Sequence, residues 1–353
     1  MMQTQDVTQH QQRPGHRVFR TRYASWRFNV RVLGMTLAGL VLLAILMIWA
    51  VTLGTIDLSM SEVIDATLGK GDDRTSLVVN TLRWPRIMSA VVIGCSLAIS
   101  GLIFQGIARN PLVSPDIIGI NAGATFAAVT WIVLQQDASL LPTAAFVGAL
   151  LTAMAIYLLS WRGGVSPNRL ILVGIGIGAI VSAGSSYMMI KFPLEQARPA
   201  IVWTMGSIYG STWSDVLAPL VTLVILVPTA VLLMEPLRAM MLGDVVTRSL
   251  GIPLERTRLM LMVVGCALAA ISVAIAGPIG FVALMVPHMA RMIAGPHSGS
   301  VLIFTGVLGS LLLLLSDIAA QFAFPITLPV GVVTAAVGAP YFLFLLYRSN
   351  SHT

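Results

Sequence analysis

Runs of about twenty apolar residues recur along the whole chain with only short polar stretches between them, and no motif constrains the fold as tightly. They fall at 32–54, 87–107, 118–135, 141–160, 169–190, 214–234, 258–276, 279–294, 300–323 and 329–347. A bilayer admits only segments that satisfy their own backbone, so the runs read as about ten transmembrane helices of an all-α integral membrane protein. Composition agrees: 57% of residues are hydrophobic and 10% charged, against about 25% charged in soluble domains.

The basic residues set the orientation. Residues 1–31 carry six arginines against the single acid Asp6, and the apolar run that follows is too long for a signal-peptide core. That places a cytoplasmic Arg-rich segment at 1–31, a ten-span permease domain at 32–348 and a cytoplasmic tail at 349–353. Alternating the segments puts fifteen Lys and Arg inside and six outside, as the positive-inside rule requires, with both termini cytoplasmic. The segment 55–86 and the loop 191–213 then lie outside. The net charge of +7 does not point to nucleic acid, because the basic residues flank apolar runs instead of forming a stripe.

One polar stretch stands apart. Residues 235–258 hold four arginines and three carboxylates between two apolar runs. Pro236 to Leu242 reads as a short helix stopped by Gly243, and Asp244 as the cap of a second, 245–250, that ends at Gly251 before Ile252-Pro253. Helices this short do not persist alone in water. With Met240, Met241, Val245, Val246 and Leu250 on one side, the stretch is either a docking surface for another protein or a connector packed on its own helix ends. Arg248, on the polar side, is placed to meet an acid at the rim of a partner's cleft.

A repeat accompanies it. Gly94-Cys-Ser-Leu-Ala98 in the second run returns as Gly265-Cys-Ala-Leu-Ala269 in the seventh, which runs the other way across the membrane. That pattern suggests an inverted-topology repeat of the kind transporters use. Glycines at 174, 176 and 178 suit close helix packing. Cys95 and Cys266 sit in apolar runs without a second ligand and read as buried thiols. His288 among Met285, Met289 and Met292 also lacks a second ligand, so no metal site is expected.

Chemistry-bearing residues are few. Asp317 is the one clear intramembrane carboxylate, with Gln321 and no base at the following turn, so it reads either as a hydrogen-bonded interior Asp or as an ion carrier. Trp203 and Trp213, with Lys191 and Arg198, decorate the external loop. No paired carboxylates, HExxH or Ser/Lys set lies at membrane depth, and no P-loop motif occurs, so the chain neither catalyses bond chemistry nor hydrolyses ATP by that route. An ion-coupled secondary transporter is the reading that needs no partner ATPase, and it would rest on Asp317 alone.

The motifs resemble one family. Asn110-Pro111-Leu-Val-Ser-Pro-Asp-Ile-Ile-Gly after the second run, Arg83-Trp-Pro-Arg86 before it, Gly277-Pro278-Ile-Gly with Pro287-His288-Met-Ala-Arg291, and Leu328-Pro329-Val-Gly331 are similar to those of FecCD/BtuC-type permeases of ABC importers. Members of that family serve iron–siderophores, haem and vitamin B12. The resemblance covers about 35–348 and implies the type II importer fold, ten spans in an inverted repeat. It implies a second permease subunit, a paralogue, to form a heterodimer; two copies of a cytoplasmic ATPase that bind ATP and Mg; and a periplasmic siderophore-binding protein. This chain itself would need no cofactor. The pattern, with Gln321 where many members have Arg, points within the family to a ferric catecholate such as ferric enterobactin, with haem or vitamin B12 as the alternative. It further implies that Leu242, Gly243, Asp244, Arg248, Leu250, Gly251 and Pro253 couple to the ATPase. Arg83 and Arg86, with Arg198 beside them, would dock acidic residues of the binding protein, and the path would run near the fifth and tenth spans.

Overall fold

The computed structural model describes residues 16–20, 25–54, 56 and 58–350, with side chains at 30–54, 56, 58–344 and 347. Most of the Arg-rich segment, Asp57 of the acidic stretch and the end of the tail lie outside the described residues. A two-stranded antiparallel ribbon, β1 (His16–Arg20) with β2 (Ser25–Asn29), precedes an otherwise helical chain.

Among the described residues, ten apolar helices follow in the expected order. Seven are long enough to cross a bilayer: α1 (Val30–Thr52), the continuous stretch Asp73–Ala108, and those at Ala138–Leu159, Pro167–Lys191, Trp213–Met241, Leu254–Ala276 and Gly299–Phe322. Three are shorter: Ile120–Val133, Val282–Ala294 and Val330–Phe344. A short helix, α2 (Met60–Thr67), lies between α1 and the Asp73–Ala108 stretch, whose first turn is α3 (Asp73–Ser76). Helix α2 is fixed by a Ser59–Glu62 capping box. A π-helical turn, Leu77–Arg83, joins α3 to α4 (Trp84–Ala108). Then come α5 (Ile120–Val133), α6 (Leu141–Leu159), α7 (Pro167–Lys191), α8 (Leu194–Trp203) and α9 (Trp213–Met241). Last are α10 (Asp244–Ser249), α11 (Leu254–Ala276), α12 (Val282–Ala294), α13 (Gly299–Phe322) and α14 (Val330–Asn350).

The short α5 begins two residues later than its apolar run, because 110–119 is irregular backbone laid against protein, where it stays satisfied. Gly119 (φ 90°) lies against Gly174 and Gly178 of α7, so two of those three glycines serve a close backbone approach; a Cβ on Gly176 would meet nothing.

Helix α4 is the buried axis and the repeat organises what surrounds it. The helices bearing the two copies, α4 and α11, pack on each other, and the Ser100 hydroxyl donates to the Gly265 carbonyl at 2.7 Å. Their neighbours correspond across the two halves: α4 packs on α13 and α11 on α6, while α5 pairs with α6 as α12 pairs with α13. Between hydrocarbon-solvated helices the drive to associate is close packing, which small residues permit. Gly94 and Gly309 meet backbone to backbone at the α4–α13 contact, and a Cβ on either would overlap the other's carbonyl oxygen. Gly309→Val is therefore expected to part the two helices at a cost of about 1–3 kcal/mol or more. The membrane-inserted yield of the variant measures it; a yield equal to that of the native chain would contradict this packing.

Candidate functional site

The polar stretch between α9 and α11 is a hairpin built on one short helix. Pro236 to Met241 does not form a separate helix: it is the last turns of α9, so the expected break at 235 is corrected. Its neighbour Met240 is buried in the core instead of joining the outward face. Gly243 at φ 119° and Gly251 at φ 76° make the two turns, where a side chain would be strained. Asp244 is not the cap. Gly243 holds that position, and Asp244 is the first residue of α10.

Its carboxylate has other work. Arg258 of α11 donates Nη2 to both Asp244 oxygens at 3.1 and 3.2 Å, and Arg109, at the end of α4, pairs with the same carboxylate. Arg258 is only 1% exposed; its Nη1 donates to the Val165 carbonyl and lies 3.5 Å from Glu255. Glu255 also accepts from the Val165 amide at 3.3 Å, and Arg169 holds the carbonyls of Ser160 and Gly164. The α6–α7 connection, the hairpin and the end of α4 thus form one ionic base. Burial alone would raise the Asp244 carboxyl; the Arg258 and Arg109 guanidiniums hold it below its ordinary value. Nothing in the sequence spacing marks Arg109 or Arg258 as partners of Asp244, since they come from elements 135 and 14 residues away.

Above that base the hairpin is apolar and exposed. Val245 is 82% exposed, Leu242 69% and Leu250 60%, while Thr247 is buried and donates to the Gly243 carbonyl at 2.7 Å. Arg248 also stands exposed, 4.0 Å from Glu255. Pro253, after Gly251, starts α11 at its N-cap. A rigid foot with a greasy sole is what the arrangement supplies.

The opposite end gathers the other motifs. Gly277 (φ 69°) and Pro278 pack against Trp203 and Gly206, and the Gly331 amide, just after Pro329, donates to the Gly206 carbonyl at 3.0 Å. Close by, Arg83 donates to the carbonyls of Val51 and Ile56, each at 2.7 Å, closing the end of α1. Arg86 is turned inward. It forks onto Asp317 with Nε at 3.0 Å and Nη2 at 2.8 Å, beneath the Tyr209 ring, and Gln321 donates to the same carboxylate at 2.7 Å. So Asp317 has a basic partner after all, delivered by α4 across 231 residues of sequence, and Arg86 is not presented outward as expected. Arg198 stands exposed on α8. Removing one member of a buried pair strands the other, at about 3–5 kcal/mol. Arg86→Met or Asp317→Leu alone is expected to lower the folded yield sharply, and the double variant to recover it; a double variant no better than the singles would contradict a mutual role.

Asn110 bends the chain by accepting from the Leu112 amide at 2.9 Å, and with Pro111, His288 and Arg291 it lines a cavity beside α10.

Known proteins resemble this chain along most of its length. The chain is 38% identical over 305 residues to the ferric enterobactin transport system permease FepG of Escherichia coli (strain K12), covering 86% of this chain and 92% of that one. It is 37% identical over 311 residues to the Fe(3+)-citrate import system permease YfmE of Bacillus subtilis (strain 168), covering 87% and 92%. A solved metal-chelate type ABC transporter in an inward-facing conformation superposes with a TM-score of 0.79 at 29% identity, over 90% of this chain and 99% of that one. The model of the FecCD transport family matches residues 42–348. The chain therefore belongs to the FecCD transport family: it is a multi-span permease subunit of an ABC importer, and not itself an enzyme.

Proposed function

We propose that this permease moves a ferric siderophore, of the ferric enterobactin kind, across the inner membrane. The similar relatives FepG and YfmE are named for two ferric chelates, which supports the class. The ATPase reading rests on one observation: an exposed apolar hairpin held on a buried ionic base. It would seat in a cleft of a cytoplasmic ATPase that carries the ATP and Mg, so the α10 end and both termini face the cytoplasm. A second, paralogous permease would complete the path, alongside the exposed apolar faces of α7 and α14 (Leu172, Ile180 and Ile190 on α7). A periplasmic siderophore-binding protein would dock at the other end, near Arg83, Arg86 and Arg198, of which Arg198 is the exposed member.

The test is uptake of ⁵⁵Fe-labelled ferric enterobactin into proteoliposomes holding the permease pair, the ATPase and the binding protein. Uptake is expected to need ATP on the ATPase side, to persist with a protonophore, and to exceed that of ferric hydroxamate, haem or cobalamin. Protonophore-sensitive uptake without ATP would instead fit the ion-coupled alternative, and preference for another ligand would move the substrate.

A further inference from the structure

A cavity of about 330 Å³ opens at the α10 end, among the last turns of α4, α9 and α12 and the loop into α13. Arg109, Asn110, Pro111, Met241 and Met292 form its exposed mouth. Gln105, His288, Arg291 and His297 line it deeper in. The ionic hairpin base does not use this inner group, and helix packing uses only the Gln105 amide nitrogen and the His288 ring face, which lies against Tyr341.

Its polar atoms are unspent. His297 is 2% exposed, and its buried ring nitrogens have only the Leu102 carbonyl as a weak hydrogen-bond contact. Arg291 has no carboxylate partner among the described residues, and its Nη1 is buried and unbonded. Gln105 spends its amide nitrogen on the Leu284 carbonyl at 2.9 Å and leaves Oε1 unbonded. Burial, reinforced by Arg291, pushes the His297 imidazole down to about 4, so it is neutral at pH 7 and offers one donor and one acceptor. The local charge is therefore that of Arg291, together with Arg109, which Asp244 already neutralises.

A partly buried guanidinium without a counter-charge is costly, and neutral waters do not remove the charge. An oxyanion would. The donors approach from α12 (Arg291, His288), the 295–298 loop (His297) and, at the mouth, Arg109, on several sides of one space, which suits a tetrahedral group better than a planar carboxylate that is gripped along one edge. The Gln105 Oε1 is an acceptor and can meet only a protonated phosphate oxygen. At about 30 Å³ per water the cavity has room for roughly ten waters, more than a phosphate needs.

We propose that this cavity is a binding site for a phosphate group, held by Arg291 with His297 and His288, and supplied either as free inorganic phosphate or as the headgroup of an anionic phospholipid. Because Arg109 lines the same cavity and holds Asp244, an occupant competes with the hairpin base for that guanidinium. Occupancy is thereby linked to how firmly α10 is held.

The experiment uses the full-length permease without nucleotide. In phosphatidylcholine nanodiscs, inorganic phosphate is titrated against chloride at matched ionic strength while the thermal unfolding midpoint is followed. In parallel, native mass spectrometry counts phosphatidylglycerol molecules retained per chain. A saturable phosphate response, or one retained phosphatidylglycerol, supports the site and identifies its source. Arg291→Gln is expected to weaken whichever is bound about tenfold, and Arg291→Lys to keep most of it. His297→Gln provides the same comparison if Arg291→Gln does not insert, and is expected to weaken binding several-fold. Native chain binding neither probe, or the folded variants binding as tightly as the native chain, would overturn the proposal.

Discussion

Gly251→Val and Leu250→Asp are each expected to abolish substrate uptake while leaving the permease inserted in the membrane. The two act by different routes. At φ 76° a β-branched residue is strained by about 1–3 kcal/mol. No neighbouring atom lies within 4 Å of a Cβ built there, so the effect is confined to the turn. Leu250 is 60% exposed, so an aspartate there costs the isolated subunit little. It becomes costly only when a partner's apolar cleft closes over it and desolvates the charge. ATPase association or ligand-stimulated ATP hydrolysis should fall together with uptake, and affinity for the binding protein should not. Normal uptake by both variants would make the hairpin a connector.

Arg258→Ala should be as damaging, and for a reason rooted in the base beneath the hairpin. The side chain is buried, serves Asp244, Glu255 and the Val165 carbonyl, and leaves two carboxylates short of a cation when removed. Breaking a buried pair in this way costs about 3–5 kcal/mol. Proteolysis at 242–253 and hydrogen exchange in α10 are the readouts: both should rise well above the native level. Asp244→Asn should do the same more mildly, because Arg109 and Arg258 then lose a charge they share. The pH dependence has a definite sign. Since the folded-state pKa of Asp244 is lowered, its contribution is fully present above the ordinary carboxylate value of 3.8 and is lost as pH falls through the lower folded value. Loosening of the hairpin on acidification should therefore begin below pH 4 and be absent in Asp244→Asn.

Much of the fold was legible because the bilayer enforces it. A span must be helical and of a set length, so hydropathy located most of the ten apolar helices to within a few residues, the exceptions being the start of the Asp73–Ala108 stretch and the end of α9. The Gly94 and Gly265 pentads marked the two helices that do occupy matching places. What failed were statements about pairing across the fold. Asp317 looked isolated because its own helix carries no base within a turn; its partner Arg86 is fixed by the α4–α13 contact, which local spacing does not encode. Asp244 looked like a cap because Asp commonly is one, yet two arginines compete for its carboxylate and win. Pro236 looked like a helix start, but α9 carries Pro219, Pro228 and Pro236 within one continuous helix. In a helix packed on its neighbours, the backbone groups a proline frees are satisfied again. The exposed apolar face was readable in part: Met241, Val245, Val246 and Leu250 stand exposed among the described residues, whereas Met240 is buried and Leu242 joins the face unannounced.

The most direct test of the account places a photo-crosslinking amino acid at Val245 in the assembled transporter. At 82% exposure the position tolerates it, and it lies at the centre of the hairpin's apolar face. A crosslink to the ATPase subunit is expected, in high yield, and lost when Gly251→Val is added. Efficient transport by the Val245 variant without any adduct to an ATPase would contradict the claim that this hairpin couples ATP hydrolysis to movement of the substrate.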